Sequence, residues 1–334
     1  MQTKKKININ LADYTIWIVL ILFWVILLVA SSKYHNVNAF ISILQDSSYI
    51  GIAALGMTFC IISGDFDLSI GRMVPMLMII IITMSPVIGE VPAIFLAICI
   101  SIVCGLWNGF LVAVIKVPAF IATLTMYYVF AAFGLFISGE QEVRYEASQI
   151  FKTIGRGSFL MIPISFWIFL GLTICTTIFL RKTKFGRNVV AMGNSQKASY
   201  VSGVNIVRTK ILIFVIVAFF ASLSAVVLTS KLGAAMYDTK DGFEFTVITA
   251  VVLGGTPLAG GKGKVVNTMI ASLFMSTITS AFTIFAVPSY TQKVINGIIL
   301  LLAFALGNIR ALISDYLVKV RSHKEYLKQQ NNSV

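Results

Sequence analysis

The sequence predicts an all-α polytopic membrane protein of about ten transmembrane helices, and three observations carry that expectation. Hydrophobic residues make up 58% of the 334 residues and charged residues only 12%, about half the charged share of a soluble chain. The apolar residues fall in runs long enough to cross a hydrocarbon core of about 30 Å. Lys and Arg gather in alternate connections between those runs. With a mean hydropathy of +0.91, the composition excludes a soluble enzyme, a secreted disulfide scaffold and a disordered chain.

The expected spans are 14–32, 39–63, 68–86, 92–115, 118–138, 161–181, 211–230, 244–259, 265–287 and 291–313. The first follows Lys4, Lys5 and Lys6 and holds an apolar run from Thr15 to Ala30. Val29-Ala30-Ser31 fits a signal cleavage site, but the run is long for a signal core and many spans follow. It reads as an uncleaved crossing. Pro118 opens the fifth span, where the missing N–H leaves no helical bond unmade. The eighth is short and ends in glycines, so it reads as a partial or re-entrant helix. Together the spans make one transmembrane domain over 1–334, with its largest cytoplasmic segment at about 181–210.

An even number of crossings that starts inside leaves both termini in the cytoplasm. Lys4–Lys6, Arg72, Lys116, the seven basic residues of 181–210, Lys262, Lys264 and the basic residues after 309 then fall inside. That is most of the 26 Lys and Arg, as the positive-inside rule requires. The net charge of +13 therefore reads as topology. No basic groove with stacking aromatics points to nucleic acid. Cys60, Cys99, Cys104 and Cys175 lie in apolar runs and form no C-x-x-C, and His35 and His323 stand far apart. No metal site and no catalytic residue is expected.

Four segments carry polar groups where apolar ones are the rule. SGDFDLSIG (63–71) puts Asp65 and Asp67 beside membrane, where carboxylates are expensive unless paired or hydrated. Asp67 before Leu68-Ser69 fits a helix cap, and a gate or pathway role stays open beside it. Asn108 and Thr123 (with Thr125) lie within spans, either for helix packing or as hydroxyl and amide groups along a path for a polyol. GGTPLAGGKGK (254–264) looks phosphate-binding, but Thr256 and Gly263 stand where a P-loop needs Gly and Ser/Thr. The run, with five glycines in ten residues and Gly254 and Gly255 at its head, reads instead as a helix break, and a plain cytoplasmic turn stays open beside it. The loop 181–210 has seven basic residues and no acid. Within it NSQKASY predicts a short helix outside the membrane, capped by Asn194 or Ser195. Contact of this loop with anionic lipid remains the plainer alternative.

SGDFDLSIG, NGFLVAVIKVPAFIATLTM, FKTIGRGSFLMIP, TKFGRNVVAMGNSQKASYVSGV and AVVLGGTPLAGGKG occur in this order. Together they resemble the membrane subunit of bacterial ABC importers of the ribose-permease type, over about residues 40–310. That family extends to other monosaccharides, autoinducer-2 and, more distantly, nucleosides and branched-chain amino acids. The resemblance implies a type II (vitamin-B12-importer-like) permease in the inner membrane. It also implies a path shared with a second permease subunit, ATPase subunits that bind ATP and Mg on separate chains, and a substrate-binding protein. No cofactor is implied on this chain. By position, Gly186, Arg187, Gly193, Asn194, Ala198, Ser199 and Gly203 match the segment that couples to the ATPase. Asp65, Asp67, Ser69, Asn108, Thr123, Gly254 and Gly255 are the pathway or gate candidates. The family usually has Gly-Gly-Ile-Asp-Leu-Ser where Gly64–Ser69 stand, so Asp65 and Phe66 are departures that weaken a claim to ribose itself. A stand-alone secondary transporter is the competing class; it places ionisable coupling residues near the midplane, and these spans hold few.

Overall fold

The computed structural model describes residues 15–305. Lys4–Lys6, the basic residues after 309 and both termini, on which part of the orientation rests, lie outside the described residues. The helices are α1 (Thr15–Ala30), α2 (Val37–Ile62), α3 (Ile70–Ile88), α4 (Glu90–Ala113), α5 (Ala119–Ser138), α6 (Gln149–Arg156) and α7 (Ile164–Lys182). They continue as α8 (Lys184–Asn194), α9 (Gln196–Val201), α10 (Ile206–Leu232), α11 (Phe243–Leu253) and α12 (Val265–Ile284), and α13 (Ser289–Ala305).

Seven of these are long and apolar enough to cross a bilayer: α2, α3, α4, α5, α7, α10 and α12. The apolar helices α1, α11 and α13 are shorter. Every expected span coincides with one of these ten apolar helices among the described residues. The eighth is α11, with 11 residues, about 16 Å of helix and half a crossing.

Helix α2 runs through the centre, and all its side chains from Ser47 to Ile62 are buried. α10 packs against α2 and α4. The contact with α4 is close because Gly105 and Gly109 present bare backbone. A Cβ at Gly105 would stand 2.7 Å from the Phe214 carbonyl oxygen, and one at Gly109 would stand 2.7 Å from Ile211 Cα. Small residues at such crossings let dispersion act over backbone as well as side chains. α4, α5 and α7 keep much of their apolar surface outward, with Phe95, Trp107, Phe133 and Phe136 exposed, as lipid-facing helices do.

At the end opposite α8 and α9 the connections are tied down. β1 (Val143–Arg144) pairs antiparallel with β4 (Ala234–Ala235). Glu90 accepts from the N–H and hydroxyl of Ser148. The Gly155 N–H donates to Ser230 Oγ at 2.7 Å, and Lys231 pairs with Asp46 at 2.7 Å. A second two-stranded turn pairs β2 (Ser158–Phe159) with β3 (Ile162–Pro163).

Candidate functional site

The first polar centre is the break between α2 and α3. Gly64, at φ +85°, ends α2 in the left-handed conformation that glycine adopts without strain, and the Asp65 N–H turns back to the Cys60 carbonyl. Asp67, Ser69, Asn108 and Thr123, four of the sequence candidates, then meet in one fully buried knot. Asp67 Oδ1 accepts from the backbone N–H of Ser69 at 2.8 Å and from its hydroxyl. The Asn108 amide donates to Ser69 Oγ at 2.8 Å and to Asp67 Oδ2 at 3.3 Å. The Leu68 N–H donates to Thr123 Oγ1 at 3.2 Å. The carboxylate thus supplies acceptors to the start of α3, and α4 and α5 are pinned to the break. No side chain of the knot is open to a solute in this conformation.

Asp65, outside the knot, pairs with Lys210 of α10 at 2.7 Å, both side chains nearly enclosed. The extra carboxylate of this chain is therefore matched by a cation 145 positions on, a pairing no local pattern announces.

The second centre joins the basic segment 181–210 to this break. The segment is mostly helical: 181–182 finish α7, 206–210 begin α10, and α8 and α9 fill the space between. Ser195 caps α9 by accepting from the Ala198 N–H at 3.2 Å. Gly193, at the end of α8, lies directly on backbone: a Cβ there would strike the Ile62 carbonyl and the Gly261 nitrogen. The Gly261 N–H itself donates to the Ile62 carbonyl at 2.8 Å, and the Asn194 amide donates to the Gly261 carbonyl at 3.2 Å. So Gly193 meets the end of α2 and the glycine loop after α11 backbone on backbone, and the Asn194 side chain ties the same loop from beside it.

The remaining coupling candidates spread along α8 and α9. Gly186 packs on the backbone of Leu180, Arg187 donates to the Lys182 carbonyl at 3.3 Å, and Ser199 is buried while Ala198 is exposed. Gly203 closes α9 at φ +84°. Tyr200 and Val201 stand 74% and 86% exposed, large apolar side chains on a short helix outside the bundle. Gly254 ends α11 against the backbone of Thr268 in α12, and Gly255 turns the chain at φ +90°.

A third centre has no counterpart among the candidates. Arg72 pairs with Asp241 at 2.7 Å, and Lys293 of α13 pairs with the other oxygen of Asp241 at 2.8 Å. Arg72 also donates to the Tyr237 carbonyl at 3.0 Å, and its guanidinium lies 5.0 Å from the ring centre of Tyr127 and 5.7 Å from that of Tyr237. Glu244 is buried beside Gly71. Arg72 is therefore not a cytoplasmic loop charge, as its place near the start of a span suggests; it reaches the loop before α11. The signal available was a lone Arg one turn inside an apolar run. Its partners, distant in sequence, gave none. Among the described residues, no three His, Cys, Asp or Glu side chains gather where a metal ion could sit.

The family described as the branched-chain amino acid transport system / permease component matches residues 39–304. The probable ABC transporter permease protein YphD of Escherichia coli is 31% identical over 309 residues, 92% of each chain. The ribose import permease protein RbsC of Bacillus subtilis is 32% identical over 268 residues, 80% of this chain and 83% of that one. The L-arabinose transport system permease protein AraH of Escherichia coli is 32% identical over 260 residues, 77% of this chain and 78% of that one. No solved structure matches the chain.

Proposed function

The chain belongs to the permease-component family that matches it over residues 39–304, and on that premise we propose that it is the membrane subunit of an ATP-driven ABC importer for a small sugar or sugar-like solute, ribose or a related monosaccharide. The observation that carries this reading is similarity to ribose and arabinose permeases over more than three quarters of the chain. The chain forms the path and holds no ATP site. ATP and Mg belong to partner ATPase chains, a substrate-binding protein delivers solute from outside, and a second permease subunit completes the path. The full fold has ten crossings of the type II arrangement in the inner membrane, one of them completed by the loops that flank the short α11, with both termini in the cytoplasm.

The mechanism follows from the contacts. α9 offers Tyr200 and Val201 to a cleft on the ATPase. Motion imposed on α9 reaches Gly193 and Asn194 directly, because they end α8 where α9 begins. There it meets the Ile62 carbonyl and Gly261 with no side chain between. A side chain can change rotamer and absorb a small displacement, whereas packed backbone transmits it. The displaced elements are the end of α2, the break at 63–69 with its Asp67 knot, and the loop that anchors α11. On this reading Asp65, Asp67, Ser69, Asn108 and Thr123 act as a cytoplasmic gate, and Gly254 and Gly255 let α11 move with it.

Purification of the detergent-solubilised chain from its native host, with mass spectrometry of what accompanies it, tests the assignment. A co-purifying ATPase and binding protein are expected, and the ligand of that binding protein names the solute, autoinducer-2 or a nucleoside included. A chain that purifies alone and moves sugar into ATP-free liposomes under an ion gradient is a secondary transporter instead.

A further inference from the structure

The Arg72 centre lies deep in the bundle. Tyr127, against which Arg72 packs, is eight residues from the start of α5, about 12 Å along a helix of about 30 Å. Charge at such depth is expensive and marks solute pathways more often than structure. Replacing a buried ion pair with apolar side chains is often neutral or stabilising, so fold stability alone gives little reason to keep one here.

Three features separate this centre from a closed structural latch. Its side chains are unequally covered: Arg72 is 11% exposed, Asp241 37% and Lys293 65%, and Tyr127 and Tyr237 are half-buried. One side of the cluster is therefore open. The backbone before α11 is non-helical here, which is tolerated at depth only inside protein or beside a water-filled path. Glu244, 4% exposed, has an Oε2 with no hydrogen-bond partner, held against Gly71, whose missing Cβ makes the room. Unlike the ion pair, this acceptor is unspent.

We propose that Arg72 and Asp241, with the rings of Tyr127 and Tyr237, form a station in the path that contacts a neutral polyhydroxylated solute, with Glu244 as a reserve acceptor. The inference rests on the sugar-importer reading. A hydroxyl offers one donor and two acceptor positions. Asp241 takes the donor, and the guanidinium of Arg72, whose two Nη groups now serve Asp241 and the Tyr237 carbonyl, donates to hydroxyl oxygens by exchange with them. The tyrosine rings offer flat apolar faces to the C–H side of a sugar. Asp241 already holds two partners, so a sugar hydroxyl exchanges with existing hydrogen bonds rather than adding to them. Such exchange lets solute enter and leave.

The experiment is uptake by the complete transporter, with its own ATPase and binding protein, using D-ribose, L-arabinose, D-xylose and 2-deoxy-D-ribose as probes. Asp241→Asn and Tyr127→Leu are compared with the unaltered chain. The binding protein is the same throughout, so any change in rank among sugars arises in the permease. The expected result is a change of about tenfold in the ratio of at least one pair of sugars, the scale of a hydrogen bond to a charged group, with unstimulated ATP hydrolysis and complex yield unchanged. If Asp241→Asn does not assemble, Tyr127→Leu carries the same test. A uniform fall across all four sugars with the rank kept, or no change, overturns the station and leaves a latch. An unaltered transporter that assembles with its ATPase, moves none of the four and has a binding protein that carries no sugar overturns the sugar reading and the station with it.

Discussion

The Asp67 knot and the Arg72 centre are both polar islands in an apolar bundle, yet they are built on opposite terms. In the knot, one carboxylate is surrounded by neutral donors from Ser69 and Asn108, and every side chain is enclosed. Glycines bring the neighbouring backbones into contact. The Arg72 centre uses full charges and long side chains, and it is open on one side. A closed, short-armed network fixes a geometry and passes on displacement. An open, long-armed one can exchange partners. That difference is why we propose force transmission for the first region and solute contact for the second.

The strongest way to break that comparison is at Gly193. Gly193→Val places a branched side chain where the Ile62 carbonyl and Gly261 nitrogen already are. α8 must then separate from the break. Uptake is expected to fall to background while the chain still inserts and still binds its ATPase, whose hydrolysis becomes independent of loaded binding protein. Gly193→Pro or deletion of 194–200 should uncouple in the same way. Normal uptake by any of these variants would remove transmission from this contact.

The Asp65–Lys210 pair sharpens the comparison next. Lys210→Met leaves an almost enclosed carboxylate without its cation and should destabilise by about 3 kcal/mol, read as a fall in unfolding temperature in detergent. Combining it with Asp65→Leu should restore most of that loss. A double variant as unstable as the single one would mean that the charge of Lys210 has a further partner.

These two regions also differ in how far the sequence discloses them. SGDFDLSIG, the Asn108 span, Thr123, NSQKASY and the glycine run are each visible as local departures from apolar or helical pattern, and the fold gathers them at one end. The ten apolar runs all become helices because bilayer length imposes a period that composition reports directly. The short eighth run shows its half-length because its glycines are local. Asp241 and Lys293 instead sit in segments of ordinary polar composition, and their meeting with Arg72 is tertiary. The positive-inside rule, which counts charges near span ends, likewise does not see that Arg72 turns into the bundle to meet Asp241. The exclusion of Asn108 and Thr123 from any open surface was equally hidden, since a polar side chain in a span reads the same whether it faces a path or another helix.

Asp67→Ala tests whether the knot is closed. It removes the one oxygen that accepts from both the N–H and the hydroxyl of Ser69, and one acceptor of Asn108, without admitting water, so it should cost about 2 kcal/mol of stability. Asp67→Asn, which keeps one acceptor, should lose less. Thermal unfolding of the assembled complex reads the difference. If the knot were an open pathway surface, water would replace the carboxylate and the two variants would be equally mild.

The smallest effect belongs to Ser195, and it separates transmission from docking. Its hydroxyl accepts from the Ala198 N–H at 3.2 Å and begins α9. Ser195→Ala removes that cap, worth about 1 kcal/mol, from a helix of six residues that has few other bonds to hold it. The bundle does not depend on α9, so the unfolding temperature of the isolated chain should not move. The Gly193 contact also stays intact, so hydrolysis by bound ATPase should remain responsive to loaded binding protein. What should fall is affinity: α9 presents Tyr200 and Val201 only when formed, and fraying it by about 1 kcal/mol should weaken ATPase binding by up to about fivefold. Titration of the ATPase onto the reconstituted chain measures this. Unchanged affinity together with lost coupling would place α9 in the transmitting region and move the boundary between docking and transmission outward from Gly193.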